Sequence, residues 1–179
     1  MHKTLWLSGV LTPYLSIFHF LIRKPAIFTT MCAVSIGFAH ANDESQMLGD
    51  VIQKIEKAHN AKAFEIEVEN DKGQSFYEID TLRNGEFYES MINPVSAQIL
   101  SDKKEDSPLW KPLNYKEKEE LLSAKISLGE AIQSVASKNS SPLKLGIFTL
   151  EGGKGYFELT FENGNRYRVN AVSGSVEKI

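Results

Sequence analysis

Leu48-Gly49-Asp50-Val51-Ile52-Gln53-Lys54-Ile55 returns eighty positions later as Leu128-Gly129-Glu130-Ala131-Ile132-Gln133-Ser134-Val135. A chain that repeats itself at a fixed spacing is constrained to use one supersecondary unit more than once. At the same spacing Gly73 answers Gly153, and Phe76-Tyr77-Glu78-Ile79 answers Tyr156-Phe157-Glu158-Leu159. Asn84-Gly85 answers Asn163-Gly164 at seventy-nine, and Asn93 to Ile99 answers Asn170 to Val176 at seventy-seven. The drift places a few extra residues late in the first copy, where surface turns accept them at small entropic cost.

The unit itself reads as one helix followed by strands. Leu48, Val51, Ile52, Ile55 and Ala58 recur at three and four residues, which is one apolar helix stripe, with His59-Asn60-Ala61 as its last turn. Phe64-Glu65-Ile66-Glu67-Val68-Glu69 alternates strictly, so it is a half-buried strand with Phe64, Ile66 and Val68 inward and Glu65, Glu67 and Glu69 on the other face. Turn residues at Asn70-Asp71-Lys72-Gly73 and Asn84-Gly85 predict antiparallel hairpins into strands around Tyr77-Ile79-Thr81 and from Phe87 to Ile92. Asn93-Pro94-Val95-Ser96 breaks that run, and Gln98-Ile99-Leu100 reads as a short final strand. Ser101 to Ser107, dense in Lys, Glu and Asp, reads as a linker, and beyond it Asn114-Tyr115-Lys116-Glu117 has the spacing of a capping box that starts a helix over 115–125. The second copy repeats the plan: a stripe of Leu128, Ala131, Ile132 and Val135, then strands over 144–150, 156–161, 166–170 and 175–179. The expected fold class is therefore α+β, with two tandem repeats, each one helix packed on a small antiparallel sheet. The expected division is a signal segment at 1–41, a first repeat at 42–102, a linker at 103–113, and a second repeat with its leading helix at 114–179.

The first forty-one residues contain no acidic side chain, and Arg23-Lys24-Pro25 precedes an apolar run from Ala26 to Phe38 and then Ala39-His40-Ala41. This is the charged region, apolar region and small-x-small site of a secretory signal, with cleavage expected after Ala41. A second apolar stretch, Leu5 to Ile22, is long enough to read as a membrane anchor if it is retained, although Pro13, Ser8, Ser16 and His19 interrupt it. The expected location is periplasmic or secreted. Cys32 is the single cysteine and lies inside the apolar run, so a mature chain must be stabilised by packing rather than by disulfides.

Loss of Lys3, Arg23 and Lys24 leaves seventeen basic residues against twenty-three acidic ones. That balance argues against a nucleic-acid partner, which needs clustered Lys and Arg to displace phosphate counterions. Residues 47–102 hold eleven acidic and five basic side chains, whereas residues 127–179 hold five and six. The copies share a pattern but not a surface. Either the acid of the first copy is a solvated face, or it is offered to a cationic partner or to the second copy.

Ile126-Ser127-Leu128-Gly129-Glu130-Ala131-Ile132, then Tyr156-Phe157-Glu158-Leu159-Thr160, then Asn170-Ala171-Val172-Ser173-Gly174-Ser175-Val176 together resemble the PepSY domain. The second copy follows that pattern closely, with Asn170 for the usual Asp and Ser173 for Thr. The first is looser, with Val51 where alanine is usual and Pro94 and Ala97 in its last hairpin. The resemblance implies a cystatin-like layout and a role in binding or restraining peptidases in the cell envelope, and it brings no catalytic residues.

The residue census agrees with a protein that is not an enzyme. His59 is the one histidine left after the expected cleavage, so a Ser–His–Asp site would have to use it, and no Gly-x-Ser-x-Gly elbow occurs. A zinc site would have to be built mostly of carboxylates, and Gly152-Gly153-Lys154-Gly155 joins two strands rather than opening a phosphate-binding helix. No cofactor and no metal are expected. The expected partner is an envelope protein, a peptidase by the resemblance, and the candidate contact surface comprises Glu65, Glu67, Glu69, Trp110, Arg166 and Arg168. Trp110 has two readings, packed on a sheet or lining a binding groove. The alternative function is a cation- or ligand-sensing accessory protein that uses the acidic sheet of the first copy.

Overall fold

A computed structural model describes residues 41–71, 73–106 and 112–179. The signal-like segment and Trp110 lie outside the described residues. Helix α1 (Ala41–His59) starts seven residues ahead of the apolar stripe and buries Leu48, Val51, Ile52 and Ile55. Ala58, expected to continue that stripe, is instead exposed and borders a surface groove with His59, Ala97 and Ile99. The chain then passes through Asn60, at a φ of 48°, directly into β1 (Ala61–Asp71). Asparagine tolerates the left-handed conformation that ends a helix.

β2 (Gln74–Arg83), β3 (Glu86–Ile92) and β4 (Ile99–Lys104) follow as antiparallel neighbours. The two-residue turn Asn84-Gly85 has φ values of 50° and 86° at its central positions, the mirror-image turn whose twist matches a hairpin. After α2 (Tyr115–Ser123) and α3 (Leu128–Ala136) come β5 (Leu143–Glu151), β6 (Lys154–Phe161), β7 (Arg166–Asn170) and β8 (Val176–Lys178). Both short helices begin with capping boxes, Asn114 with Glu117 and Ser127 with Glu130.

All eight strands form one sheet in the order β4-β3-β2-β1-β5-β6-β7-β8. The α+β class is as expected, and the two small sheets, which the sequence leaves free to join or merely to touch, form one continuous sheet joined at β1 and β5. The paired residues at the join are Glu65 with Ile147, Ile66 with Gly146, and Glu67 with Leu145. The middle pair is separated by eighty positions. The same spacing recurs where α1 meets α3: Gln53 Nε2 donates to Gln133 Oε1 at 3.0 Å, and Gly49 lies against Gly129.

A side chain added at Gly146 would point at Leu128 of α3, at Ile66 and at Leu159, so these residues mark the helix-bearing face of the sheet. The core lies there, with Phe148 and Phe157 edge to face at 5.5 Å, and with Ile79, Val169 and Tyr167 nearby along the strands. α2 packs against the end of the sheet where Phe87 and Lys62 stand: Lys118 Nζ lies 4.4 Å above the Phe87 ring, and Lys62 Nζ donates to the Ala124 carbonyl. A bulge in β1 at Phe64 lets Ala63 and Phe64 both be buried there.

The linker expected over 101–107 is overturned at its start. Residues 101–104 belong to β4, so neither a repeat ending at 102 nor a linker starting at 103 holds. The charge-rich sequence disguised an edge strand, because Lys103 and Lys104 spend their charges on Glu89 and Glu86 of the neighbouring strand.

Candidate interaction surface

Side chains alternate across a pleated strand, so the residues between the core positions share the face that α1 and α3 leave open. One row of directly paired neighbours runs Lys103, Glu89, Asp80, Glu65, Ile147, Glu158 and Arg168 across β4 to β7. The next runs Met91, Glu78, Glu67, Leu145, Thr160 and Arg166. Glu69 completes the acidic file on β1, opposite Phe76.

Glu65, Glu67 and Glu69 therefore share a face, as expected, and are joined by Glu78, Asp80 and Glu89. These three fall outside the expected contact residues because the apolar positions dominate the pattern of their strands. Alternation in Tyr77-Glu78-Ile79-Asp80-Thr81, with the register set by the Gly73 turn, carries the signal. Arg166 and Arg168 lie on the same open face but do not join the acidic group, being separated from β1 by β5 and β6. They neutralise their own half: Arg166 and Arg168 bind Glu158 at 3.0 and 2.7 Å, and Arg168 also pairs with Glu151. Nor is the acid turned toward the second copy, which presents Ile147 and Leu145 to Glu65 and Glu67.

Asp80 is the centre of the acidic group. It is 7% exposed, and its Oδ1 has no hydrogen-bond partner among the described residues. Burial, and then Glu65, Glu78 and Glu89 in that order, push its carboxyl up to about 8. Burial and the charge of Glu89 bring Glu78 up to about 7, Lys103 working against them. Glu65 and Glu67 are raised too, by burial first and by the next glutamate along the strand second. A carboxylate whose folded value exceeds its unfolded one makes the folded state bind more protons, so the stability it confers is complete at low pH and is lost as pH rises through the folded value. Between pH 5.5 and pH 8.5 the protein is expected to lose about 2 kcal/mol of stability, read as a falling melting temperature. A melting temperature that is flat or rising over that window would contradict the arrangement.

The other face carries a separate polar cluster. Arg83, 6% exposed, donates to both oxygens of Asp102 at 2.8 and 2.7 Å, to Ser90 Oγ at 3.1 Å and to Thr81 Oγ1 at 2.9 Å. Its guanidinium holds the Asp102 carboxyl below the usual range. This network was hidden by the linker reading of residues 101–107. At the sheet's outer edge, Val95, Ile99 and Leu100 are exposed, and β4 has no further strand beside it among the described residues. No three His, Cys, Asp or Glu side chains among the described residues converge as metal ligands, and no described helix is long and apolar enough to cross a membrane.

Among the described residues, three helices and an eight-stranded antiparallel sheet define an α+β protein in which α1 and α3 cover one face and α2 covers only the Phe87 end of the other. Residues 48–103 match the model of the PepSY family, described as "Peptidase propeptide and YPEB domain". The match falls on the first half, although the motif was read more fully in the second. The chain is also similar to a crystal structure from Clostridium difficile 630 described as a "putative lipoprotein", with 17% identity, 74% of this chain and 92% of that one covered, and a TM-score of 0.39. No curated protein matches it.

Proposed function

We propose that this chain is a non-catalytic binding module of the periplasm or outer envelope, formed by two PepSY-like units, that regulates or restrains a peptidase. The PepSY match over 48–103 carries the reading, since that family is described by its peptidase propeptides. The second unit is supported by positions eighty apart that meet each other: Ile66 with Gly146, Gln53 with Gln133, and Gly49 with Gly129. Self-meeting positions are what an approximate two-fold axis produces, as in a dimer fused into one chain. The binding surfaces in this reading are the β4 edge, where an extended segment can add as a further strand, and the open sheet face with Glu65, Glu67 and Glu69. Trp110, Arg166 and Arg168 are retained only as secondary contacts.

Cross-linked capture with the full chain from envelope extract tests this reading. A peptidase is expected among the recovered proteins, and its absence under several growth conditions would count against the role. The carboxylates on the open face favour one second reading, a cation sensor. Millimolar calcium separates the two: the binding-module reading expects an unchanged melting temperature, and a rise of several degrees would favour the sensor.

A further inference from the structure

The two halves of the open face differ at matching register positions. Ile79 and Leu159 lie eighty apart and pair with Ser90 and Tyr167, so the pair Asp80–Glu89 corresponds to Thr160–Arg166, and Glu78–Met91 to Glu158–Arg168. In the second half the two arginines bind Glu158. In the first half the same positions hold Glu89 and Met91, and the face has six carboxylates, of which Glu89 is ion-paired among the described residues, with Lys103 at 2.9 Å. At these register positions the guanidinium pair that one half supplies has no counterpart in the other.

We propose that the open face of β1–β3 is the docking site for an arginine side chain carried on an extended segment of a partner protein, with Asp80 as its floor. This deepens the binding-module reading and rests on it. Glu65 and Glu89 flank Asp80 across the two neighbouring strands and are each one methylene longer, so they form walls around it. Asp80 is 7% exposed and its Oδ1 has no partner among the described residues, a buried polar group that a structure rarely retains without use. Several acceptors in one row suit the five N–H groups of a guanidinium better than the three of an ammonium. Half-buried Leu145 and Ile147 border Glu67 and Glu65, and give the aliphatic stem of the arginine an apolar wall.

Fluorescence anisotropy on the full chain tests this with a labelled twelve-residue peptide of alternating arginine and serine, compared with the same peptide carrying glutamine for arginine. The arginine peptide is expected to bind at physiological salt and the glutamine peptide to bind at least tenfold more weakly. Asp80→Asn is expected to weaken the arginine peptide about tenfold, in line with loss of a charge-assisted contact. The same variant should raise the melting temperature at pH 8.5, because it removes an uncompensated buried charge, so lost binding cannot be ascribed to unfolding. Glu119→Gln on α2 is the charge control and should leave binding unchanged. Equal weakening by Asp80→Asn and Glu119→Gln, or equal binding of the two peptides, would overturn the arginine site while leaving peptidase regulation through the β4 edge intact. Tighter, Asp80-dependent binding of spermidine or calcium than of the peptide would also overturn it, in favour of a small cation.

Discussion

Gly129→Ala is expected to destabilise the protein by about 3 kcal/mol in urea unfolding, although alanine is the better helix former by about 1 kcal/mol in an ordinary helix. The sign is decided at the crossing of α1 and α3. A Cβ on Gly129 would stand 2.5 Å from the Gly49 carbonyl oxygen and 3.0 Å from Gln53 Cγ, and backbone cannot step aside as a side-chain tip can. Gly49→Ala meets the Gly129 carbonyl oxygen at 2.8 Å and should behave alike. Either the helices separate, loosening Ile52 and Ile132 from the core, or they rotate and break the Gln53–Gln133 hydrogen bond. A Gly129→Ala protein as stable as the parent would show that the helices do not cross there.

Asp102→Ala is expected to cost about 3 kcal/mol, because it strands the Arg83 guanidinium, 6% exposed, without its carboxylate. Asp102 itself is 29% exposed, so most of the loss comes from the arginine left behind rather than from the carboxylate removed. Replacing both groups, as Arg83→Met with Asp102→Leu, should recover much of that loss, since an apolar pair needs no compensation. Because Arg83 depresses the Asp102 carboxyl, this contribution is present above the unfolded carboxylate range and disappears only as pH falls through the lower folded value. It thus acts at the opposite end of the pH scale from Asp80, whose raised value acts as pH rises toward 8. Denaturant curves at pH 7 check the pair, and a cost under about 0.5 kcal/mol for Asp102→Ala would mean that the ion pair is only a surface contact.

The sequence was most legible where a period repeats. The Leu48–Ile55 stripe, the alternation from Glu65 to Glu69, the Asn84-Gly85 turn and the Asn114 capping box all lie in the structure as read, whereas the bulge at Phe64 turns that ring to Phe87 instead of keeping it beside Ile66. Each rests on local geometry, which needs no knowledge of what packs beyond it. The merging of two sheets into one was not legible, because it depends on β1 choosing β5 as its second neighbour across eighty residues. β4 was lost for a different reason: an edge strand protected by Lys103 and Lys104 has the composition of a linker. Half of the candidate site followed from alternation on β1, and the rest needed strand register. Arg166 and Arg168 looked like companions of the glutamates because both groups are charged and outward, yet Glu158 and Glu151 already occupy them.

Proteolysis rates measured while the full chain is titrated into the peptidase captured from envelope extract test the regulatory claim most directly. The account predicts a saturable fall in the rate while the chain stays intact on a gel. A peptidase that keeps its full rate at saturating chain, or that digests the chain as an ordinary substrate, would contradict it.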